Sequence, residues 1–241
     1  IQNIEYIIIN DGSNSCVKEL LNVISKHDNR IRMINNKYNL GLTKSLNKGI
    51  KIATADYIAR QDADDISLPN RLETQLLYFL ENTNCSLLGS NVNFKYGEKI
   101  IPINYKVKNK YSYIKEILKY KNIYHHSSMM FKRHDAIEIG MYNEFFKYSQ
   151  DYDLWLRFSE KYECNHIPNI LVTIDDFRQS SISKKHMRQQ IGYSILARIN
   201  AYIRSKRNKS YILPILKSIL CRPLAFIWLC KRLNSKSSHE Y

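Results

Sequence analysis

Cysteine is scarce in this sequence, and its copies stand far apart. The five cysteines are Cys16, Cys85, Cys164, Cys221 and Cys230, an odd number with no C-x-x-C spacing. A disulfide framework typically shows an even number of cysteines in a short chain, and a structural zinc site typically shows C-x-x-C pairs. We therefore expect neither, and the pattern favours a reducing, cytosolic compartment.

Long apolar runs are also missing. The longest uncharged apolar stretch of the C-terminal part, Pro223 to Cys230, is far shorter than the ~20 residues that a membrane-spanning helix needs. No basic-then-apolar leader precedes the first predicted strand, so the sequence predicts neither secretion nor a transmembrane anchor. Apolar residues still make up 44% of the chain, enough for one large domain with a hydrophobic core, and global disorder is excluded.

Acidic residues are nearly absent from the C-terminal part. The whole chain has 37 Lys and Arg against 22 Asp and Glu, a net charge of +15, and residues 184–241 contain the single acid Glu240. Apolar residues recur at helical spacing on both sides of Lys209, which predicts two amphipathic helices. Such a tail is typical of a segment that lies on an anionic membrane surface. Packing on the core with Lys and Arg in water is the alternative, and nucleic-acid binding is suggested by charge alone.

Strands and helices alternate along the first part of the sequence. β-Branched and aromatic runs predict strands at 4–10, 31–34 and 55–59, with helices at 17–26, 43–53 and 69–80. This order predicts an α/β fold with a mostly parallel sheet, whose ligand site lies at the carboxyl ends of the strands. Beyond residue 87 we expect a hairpin at 92–103, a helix at 111–121, a strand at 125–132, a helix at 152–161 and a strand at 166–174.

Two acidic positions follow predicted strands at that edge. Asp11 comes directly after the first strand, and Asp62, Asp64 and Asp65 form a cluster after the third. Crowded carboxylates repel one another unless a cation neutralises them, and Mg²⁺ or Mn²⁺ often joins one or two carboxylates to the phosphates of a nucleotide. The cluster therefore predicts a divalent metal site, although an acidic turn that caps the helix after Pro69 gives the same pattern.

Several motifs together resemble the family 2 glycosyltransferases, which have the GT-A fold. They are Asn10-Asp11-Gly12-Ser13, Asn39-Leu40-Gly41-Leu42, Asp62-Ala63-Asp64-Asp65 with Arg71 after it, His125 to Phe131, and Tyr148 to Arg157. The resemblance implies a GT-A-like, Rossmann-like core over 1–183, followed by the basic helical extension over 184–241. It also implies inverting transfer of a sugar from a nucleotide diphosphate donor, commonly a UDP-sugar, in bacterial surface polysaccharide assembly.

The resemblance implies roles for individual residues as well. Asp11 would accept a hydrogen bond from the donor base, unless it is a plain turn former, and Asp62 and Asp64 would form the DxD pair that holds Mn²⁺ or Mg²⁺. Arg71 would contact phosphate or pair with the acidic cluster. Asp151 would be the catalytic base that takes the proton of the acceptor hydroxyl, with capping of the following helix as the alternative. The acceptor would be a saccharide or a lipid-linked sugar at the cytoplasmic face of the plasma membrane.

Other side chains of the same motifs keep more than one interpretation. Trp155 is expected in the core, and Asp153 as a partner of the helix dipole. His125 and His126 belong either to an acceptor or diphosphate pocket or to the structural framework. Arg178 is similar to a residue of the family's closing Tyr-Arg-x-His segment, whose His is absent from this sequence.

The family's first strand and its Pro-x-Tyr-Asn loop are missing from the front of this sequence. We therefore expect the sheet to lack a strand beside Asp11 and the donor site to lack one wall. A nucleotide-sugar-binding remnant without activity is the main alternative to an active enzyme.

Overall fold

The computed structural model describes residues 3–105, 107, 111–175 and 186–237. The strands are β1 (Tyr6–Asn10), β2 (Ile31–Asn35), β3 (Tyr57–Ala59), β4 (Ile66–Ser67), β5 (Cys85–Tyr96), β6 (Lys99–Ile103), β7 (Met130–Lys132) and β8 (Glu163–Asp175). The helices are α1 (Ser15–His27), α2 (Leu42–Ile52), α3 (Arg71–Glu81), α4 (Tyr111–Tyr120), α5 (Arg133–Glu138), α6 (Gln150–Lys161), α7 (Met187–Arg204), α8 (Ile212–Cys221) and α9 (Pro223–Ser237). Short 3₁₀ turns lie at His126–Ser128 and Lys209–Tyr211.

Particular residues set where several helices begin. The side chain of Asn14 accepts the backbone N–H of Val17 at 3.0 Å and caps α1. Gly41 precedes α2 with a φ of +86°, a left-handed conformation that glycine adopts without a steric cost. Pro223 begins α9, because its ring cannot continue α8 but suits the first position of a new helix.

The strands form two sheets within the described residues. β1 and β2 pair in parallel, and β3, β7, β5, β8 and β4 follow one another in a second sheet in which β6 also pairs with β5. In that sheet β5 and β8 are parallel, and the other four pairs are antiparallel. The α/β fold is confirmed. The mostly parallel pairing is corrected, because the strand–helix alternation stops after α3 and the β5–β6 hairpin reverses the chain.

The predicted elements differ from the structure in a few places. The strand expected at 125–132 begins only at Met130, because the 3₁₀ turn His126–Ser128 precedes it. β4 and α5 are too short for a pattern in the sequence to reveal them. The C-terminal part has three helices where two were predicted, since α8 ends at Cys221 and α9 starts at Pro223.

The main hydrophobic core includes residues from both of the predicted parts of the chain. Trp155 and Phe158 of α6 are fully buried, and Tyr193, Ile195 and Ala201 of α7 lie in the same cluster. The boundary predicted between residues 183 and 184 falls outside the described residues. On its C-terminal side α7 packs as part of the core and not as a separate tail.

Helices α8 and α9 expose an apolar face. Their exposed side chains include Leu213, Leu216, Leu220, Leu224 and Ile227. In the described part of the chain no single helix is long and apolar enough to cross a membrane. Lys209–Cys221 and Pro223–Leu233, bent by 103° from one another, meet that requirement as a pair by length and composition.

Candidate active site

The loop after β3 and the first turn of α6 line the same cleft, which has a volume of about 1250 Å³. The cleft brings together Asp62 and Asp64 of the acidic cluster and Asp151 of α6. These are three of the five site residues that the sequence predicts. The other two, Asp11 and Arg71, do not belong to its lining.

Asp62 is fixed in place by two neighbours. Its carboxylate pairs with the guanidinium of Arg60, which is buried, and accepts the hydroxyl proton of Ser127 at 3.2 Å. Ser127 Oγ in turn accepts the backbone N–H of Asp62 at 3.0 Å. Asp64 is exposed, and no hydrogen bond or ion pair engages it within the described ranges. Asp64 is therefore the member of the pair that is free to bind a ligand directly.

Asp65 shows how crowded the negative charge is at this edge. Its Oδ1 accepts the backbone N–H of Asp175 at 3.2 Å. Burial raises the pKa of Asp65, and the charges of Asp62 and Asp64 raise it further. A divalent cation would relieve this repulsion, so the residues present fit an ion held by one or two carboxylates together with substrate phosphates.

The acidic cluster does not by itself form a complete metal cage. In the described ranges, the group whose ligand atoms all lie within 4.8 Å of one another is His134, Asp135 and Glu138, which does not line the cleft. An ion at the acidic cluster would complete its coordination with phosphate oxygens and water, as Mg²⁺ commonly does.

Arg71 is buried with an exposed fraction of 1%. Its Nη2 donates to the carbonyl oxygens of Arg60 at 2.6 Å and Met129 at 3.2 Å, and its Nη1 donates to Gln61 Oε1 at 2.7 Å. Its Nε donates to Gln75 at 3.2 Å, and burial lowers the pKa of Arg71 to about 10. This geometry gives Arg71 a positioning role under the acidic loop, in place of the predicted contact with phosphate.

Asp11 organises the loop before α2. Its carboxylate accepts the backbone N–H groups of Leu40 at 2.8 Å and Gly41 at 2.9 Å and the side-chain amide of Asn36 at 2.8 Å. Burial alone would raise the pKa of Asp11, but these hydrogen bonds outweigh it and the pKa is lowered. Gly12 follows with a φ of +78°. Binding of a donor base by Asp11 stays a prediction.

Asp151 lies in the first turn of α6. The helix begins at Gln150, directly after Ser149 in a left-handed conformation with a φ of 53°. The side-chain amide of Asn122 donates to Asp151 Oδ2 at 3.0 Å. Burial raises the pKa of Asp151, and the hydrogen bonds from Tyr152 N–H and Asn122 oppose that rise. A carboxylate with a raised pKa on a cleft wall is suited to accept a proton.

Two histidines of the cleft are uncharged at neutral pH. Burial lowers the pKa of His125 to about 4 and lowers the pKa of His126 well below its ordinary value. His126 Nε2 and the Tyr142 hydroxyl are hydrogen-bonded at 2.7 Å. His125 packs against the rings of Phe94 and Tyr105, and its Nε2 has no hydrogen-bond partner among the described residues.

The neighbouring residues of the same motif are structural. Trp155 is fully buried, as predicted. Asp153 is also fully buried and pairs with Arg157 at 2.9 Å, so it does not face the cleft. The closing segment with Arg178 lies outside the described residues.

Helices α7 and α8 line the remaining part of the cleft. Gln190, Ser194 and Arg198 contribute from α7, and Lys217 and Ser218 from α8. Sequence reasoning placed these residues in a separate tail and so missed them. The apolar periodicity of α7 was the available signal, because a helix with a wide apolar face is usually packed against a core.

Arg60, Ser127 and Asn122 were also missed. Each contacts a carboxylate of the site: Arg60 pairs with Asp62 two residues later, whereas Ser127 and Asn122 contact carboxylates that are distant in the sequence. The pattern His125 to Phe131 pointed to the segment that holds Ser127, but not to the residue itself. Asn122 and Arg60 belong to no motif, so only the folded chain reveals them.

Sequence comparison gives the class of protein. The family Glycosyl transferase family 2 matches residues 1–140. An uncharacterized glycosyltransferase from Haemophilus influenzae is 32% identical over 211 residues, covering 80% of this chain and 65% of the relative. The O-antigen biosynthesis glycosyltransferase WbnJ from Escherichia coli is 34% identical over 166 residues, covering 68% and 61%. The chain belongs to glycosyltransferase family 2, and it spans less than two thirds of the length of these relatives.

Two solved structures of similar fold contain a bound nucleotide sugar. S. aureus TarS 1-349 in complex with UDP-GlcNAc matches with a TM-score of 0.64 and 12% identity, covering 90% of this chain and 64% of that one. The mannosyltransferase PcManGT from Pyrobaculum calidifontis in complex with GDP-Man and Mn²⁺ matches with a TM-score of 0.62 and 11% identity, covering 98% and 67%. At these identities the likeness shows the fold, which confirms the predicted GT-A class.

Proposed function

We propose that this glycosyltransferase performs metal-dependent, inverting transfer of a sugar from a nucleotide diphosphate donor, with a UDP-sugar as the preferred candidate. The acceptor is a saccharide or a lipid-linked sugar in surface polysaccharide synthesis. One observation carries the proposal: the acidic cluster and Asp151 line the same cleft. The similar structures bound to UDP-GlcNAc and to GDP-Man with Mn²⁺, and the O-antigen relative, support it.

The reaction requires one proton acceptor and one leaving group. Asp151 takes the proton of the acceptor hydroxyl while the hydroxyl oxygen attacks the anomeric carbon of the donor sugar. The new carbon–oxygen bond forms as the bond from the anomeric carbon to the phosphate oxygen breaks, and the nucleoside diphosphate leaves with that electron pair. Attack opposite the leaving group inverts the configuration.

The acidic cluster serves the leaving group. Asp64, which is free within the described ranges, binds the divalent ion, and Asp62 supports it from its ion pair with Arg60. When bound, Mn²⁺ or Mg²⁺ offsets the negative charge of the departing diphosphate. Asp62, Asp64 and Asp65 thus have a function that explains their crowding.

The neutral histidines suit the same site. His125 and His126 stay uncharged at physiological pH, so they add no positive charge that would compete with a metal ion for the acidic cluster. Asn122 keeps one oxygen of Asp151 engaged, which holds the carboxylate in a fixed orientation toward the cleft.

We further propose that the protein works at the cytoplasmic face of the plasma membrane as a peripheral protein. The exposed leucines of α8 and α9 support this location, as does the absence of Asp and Glu from 186–237. The membrane would then hold a lipid-linked acceptor beside the cleft.

The test is a transfer assay with a panel of nucleotide sugars and Mn²⁺, in which release of the nucleoside diphosphate is measured. Asp151→Asn should lower kcat by about 10² to 10⁴-fold, as loss of a general base does, with little change in donor affinity. The matched control is Asp135→Asn, which lies outside the cleft. Donor binding without turnover in the wild-type chain would instead identify a binding remnant.

A further inference from the structure

The charged side chains that line the cleft are divided by structural element. Its acidic side chains come from the loop after β3, the end of β8 and the start of α6: Asp62, Asp64, Asp65, Asp175 and Asp151. Its Lys and Arg side chains come from the end of α4 and from α7, α8 and the α8–α9 break: Lys121, Arg198, Lys217 and Arg222. We call these four residues the basic subsite.

The basic subsite has no acidic partner of its own. Within the described ranges, none of its four side chains lies within 4.0 Å of a carboxylate oxygen. Residues 186–237 contain no Asp or Glu at all. Like charges that share a cleft repel one another, and an anion that binds between them removes this cost.

One member of the basic subsite, Arg198, is buried in the cleft wall and held there by hydrogen bonds. Its Nε and Nη2 donate to the carbonyl oxygens of Lys119 at 2.9 Å and Tyr120 at 2.7 Å. Its Nη1 donates to the carbonyl oxygen of Ser194 at 3.1 Å and to Ser194 Oγ at 3.3 Å. Its guanidinium also lies over the Tyr152 ring at 5.0 Å. Because each guanidinium nitrogen of Arg198 has a protein acceptor, Arg198 contributes fixed positive charge to the cleft wall. Lys217 and Arg222 are exposed, so their side chains can donate to a ligand that this charge attracts.

We propose that the basic subsite binds a phosphate or diphosphate group carried by the acceptor. This inference rests on the proposed function, since it assigns the acceptor's chemistry at the same cleft. The donor's diphosphate is accounted for by the ion at the acidic cluster, so the four cations are left for a second anion. Arginine and lysine are the side chains that most often bind phosphate.

The structure also indicates where the remainder of such an acceptor extends. Lys217 lies on α8, whose exposed face carries Leu213, Leu216 and Leu220. A phosphate group joined to an apolar chain would find both kinds of surface on one helix. A soluble, phosphate-bearing saccharide would use the basic subsite alone.

The test measures binding of inorganic pyrophosphate by calorimetry in EDTA, where the acidic cluster holds no metal. We expect the wild-type chain to bind, and the double variant Lys217→Gln/Arg222→Gln to lose about tenfold or more in affinity, because two charge-assisted contacts are removed. The matched control is Lys209→Gln/Lys231→Gln, which removes the same charge from two residues outside the cleft. It should bind within about twofold of wild type.

The outcomes separate this inference from the proposed function. Equal losses in the two double variants, or no pyrophosphate binding at all, would overturn the basic subsite. Binding of UDP with Mn²⁺ is measured in the same proteins and should be unchanged in both. UDP binding could fail in every protein while pyrophosphate binding still depends on Lys217 and Arg222. In that case the proposed donor is wrong, but the basic subsite is supported.

A second ligand distinguishes the two sources of phosphate. A short-chain isoprenyl diphosphate should bind more tightly than pyrophosphate if the acceptor is lipid-linked. Equal affinity for the two ligands assigns a soluble, phosphate-bearing acceptor. In both cases the Lys217→Gln/Arg222→Gln variant must weaken the binding, and an unaffected variant contradicts the inference.

Discussion

The side-chain amide of Asn122 donates a hydrogen bond to Oδ2 of Asp151 at 3.0 Å. Asn122 follows α4, whereas Asp151 lies in the first turn of α6, and both line the cleft. The hydrogen bond favours the charged carboxylate, while burial favours the protonated form. Burial is the larger effect and raises the pKa of Asp151, while Asn122, a residue that no motif contains, opposes that rise together with the backbone N–H of Tyr152.

Replacing Asn122 should shift the pH dependence of catalysis. A general base works when it is deprotonated, so activity is lost as the pH falls through the pKa of Asp151. Asn122→Ala removes a bond to the charged form, raises that pKa and moves the acid limb of kcat to higher pH, by about one unit. The measurement is kcat between about pH 4.5 and 8. The surface variant Asn22→Ala is the control. If the acid limb of the kcat profile does not move in Asn122→Ala, Asp151 is not the general base.

The two carboxylates of the DxD pair should respond differently to mutation. Asp64 is exposed and unengaged in the described ranges, so Asp64→Ala should weaken Mn²⁺-dependent binding of UDP by about tenfold or more, with the melting temperature unchanged. Asp62→Ala also deprives the buried Arg60 of its partner and should lower the melting temperature as well. Calorimetry and thermal unfolding measure both effects. If UDP binds with equal affinity in EDTA and in Mn²⁺, the acidic cluster is not the metal site.

Local patterns were enough to predict the fold in the first part of the chain. Apart from the two-residue β4, the strands and helices from β1 to α3 follow from apolar periodicity, and the acidic loop after β3 follows from its sequence. Two of the residues that orient Asp62 and Asp151 could not be predicted, because Ser127 is 65 residues from Asp62 and Asn122 is 29 residues from Asp151. Such pairs depend on how the chain folds back on itself.

The C-terminal helices show a second limit of the sequence. Charge and amphipathicity describe α7, α8 and α9 alike, yet α7 packs in the core while α8 and α9 expose leucines. Arg198 of α7 counts as a surface charge in the sequence, but the structure buries it against main-chain carbonyls. Composition cannot separate a buried, hydrogen-bonded arginine from an exposed one.

The contact between α7 and α9 should be sensitive to one added methyl group. A Cβ on Gly192 would lie 2.7 Å from the Trp228 ring and 3.2 Å from the carbonyl oxygen of Ala225. Alanine normally stabilises a helix relative to glycine by up to ~1 kcal/mol, but overpacking here costs about 1 to 3 kcal/mol. Gly192→Ala should therefore lower the free energy of unfolding.

Denaturant unfolding and limited trypsin digestion at Arg222 measure this effect. The matched control is Gly49→Ala on α2, whose Cβ would meet only the mobile end of the Ile9 side chain at 3.1 Å. A Gly192→Ala protein as stable as wild type would mean that α9 does not pack against α7 as the structure has it.

The exposed leucines of α8 should carry membrane binding. Leu213, Leu216 and Leu220 are exposed by 62%, 49% and 78%. The triple variant Leu213→Ser/Leu216→Ser/Leu220→Ser should therefore lose little stability. The triple variant should lose binding to vesicles that contain phosphatidylglycerol. Point substitutions are used in place of a C-terminal deletion, because deleting the chain after residue 183 would remove α7 and with it part of the core.

Attraction to anionic lipid is worth about 1 kcal/mol per well-placed Lys or Arg, and salt screens it over ~10 Å at 0.1 M. Binding of the wild-type chain should therefore weaken steeply as ionic strength rises, which vesicle co-sedimentation measures. The matched control replaces Leu20, Val23 and Ile24 of α1 by Ser, since these side chains are also exposed. This control should bind the vesicles as the wild-type chain does. If wild type ignores anionic vesicles at low salt, or if both triple variants lose binding equally, α8 does not attach the protein to a membrane.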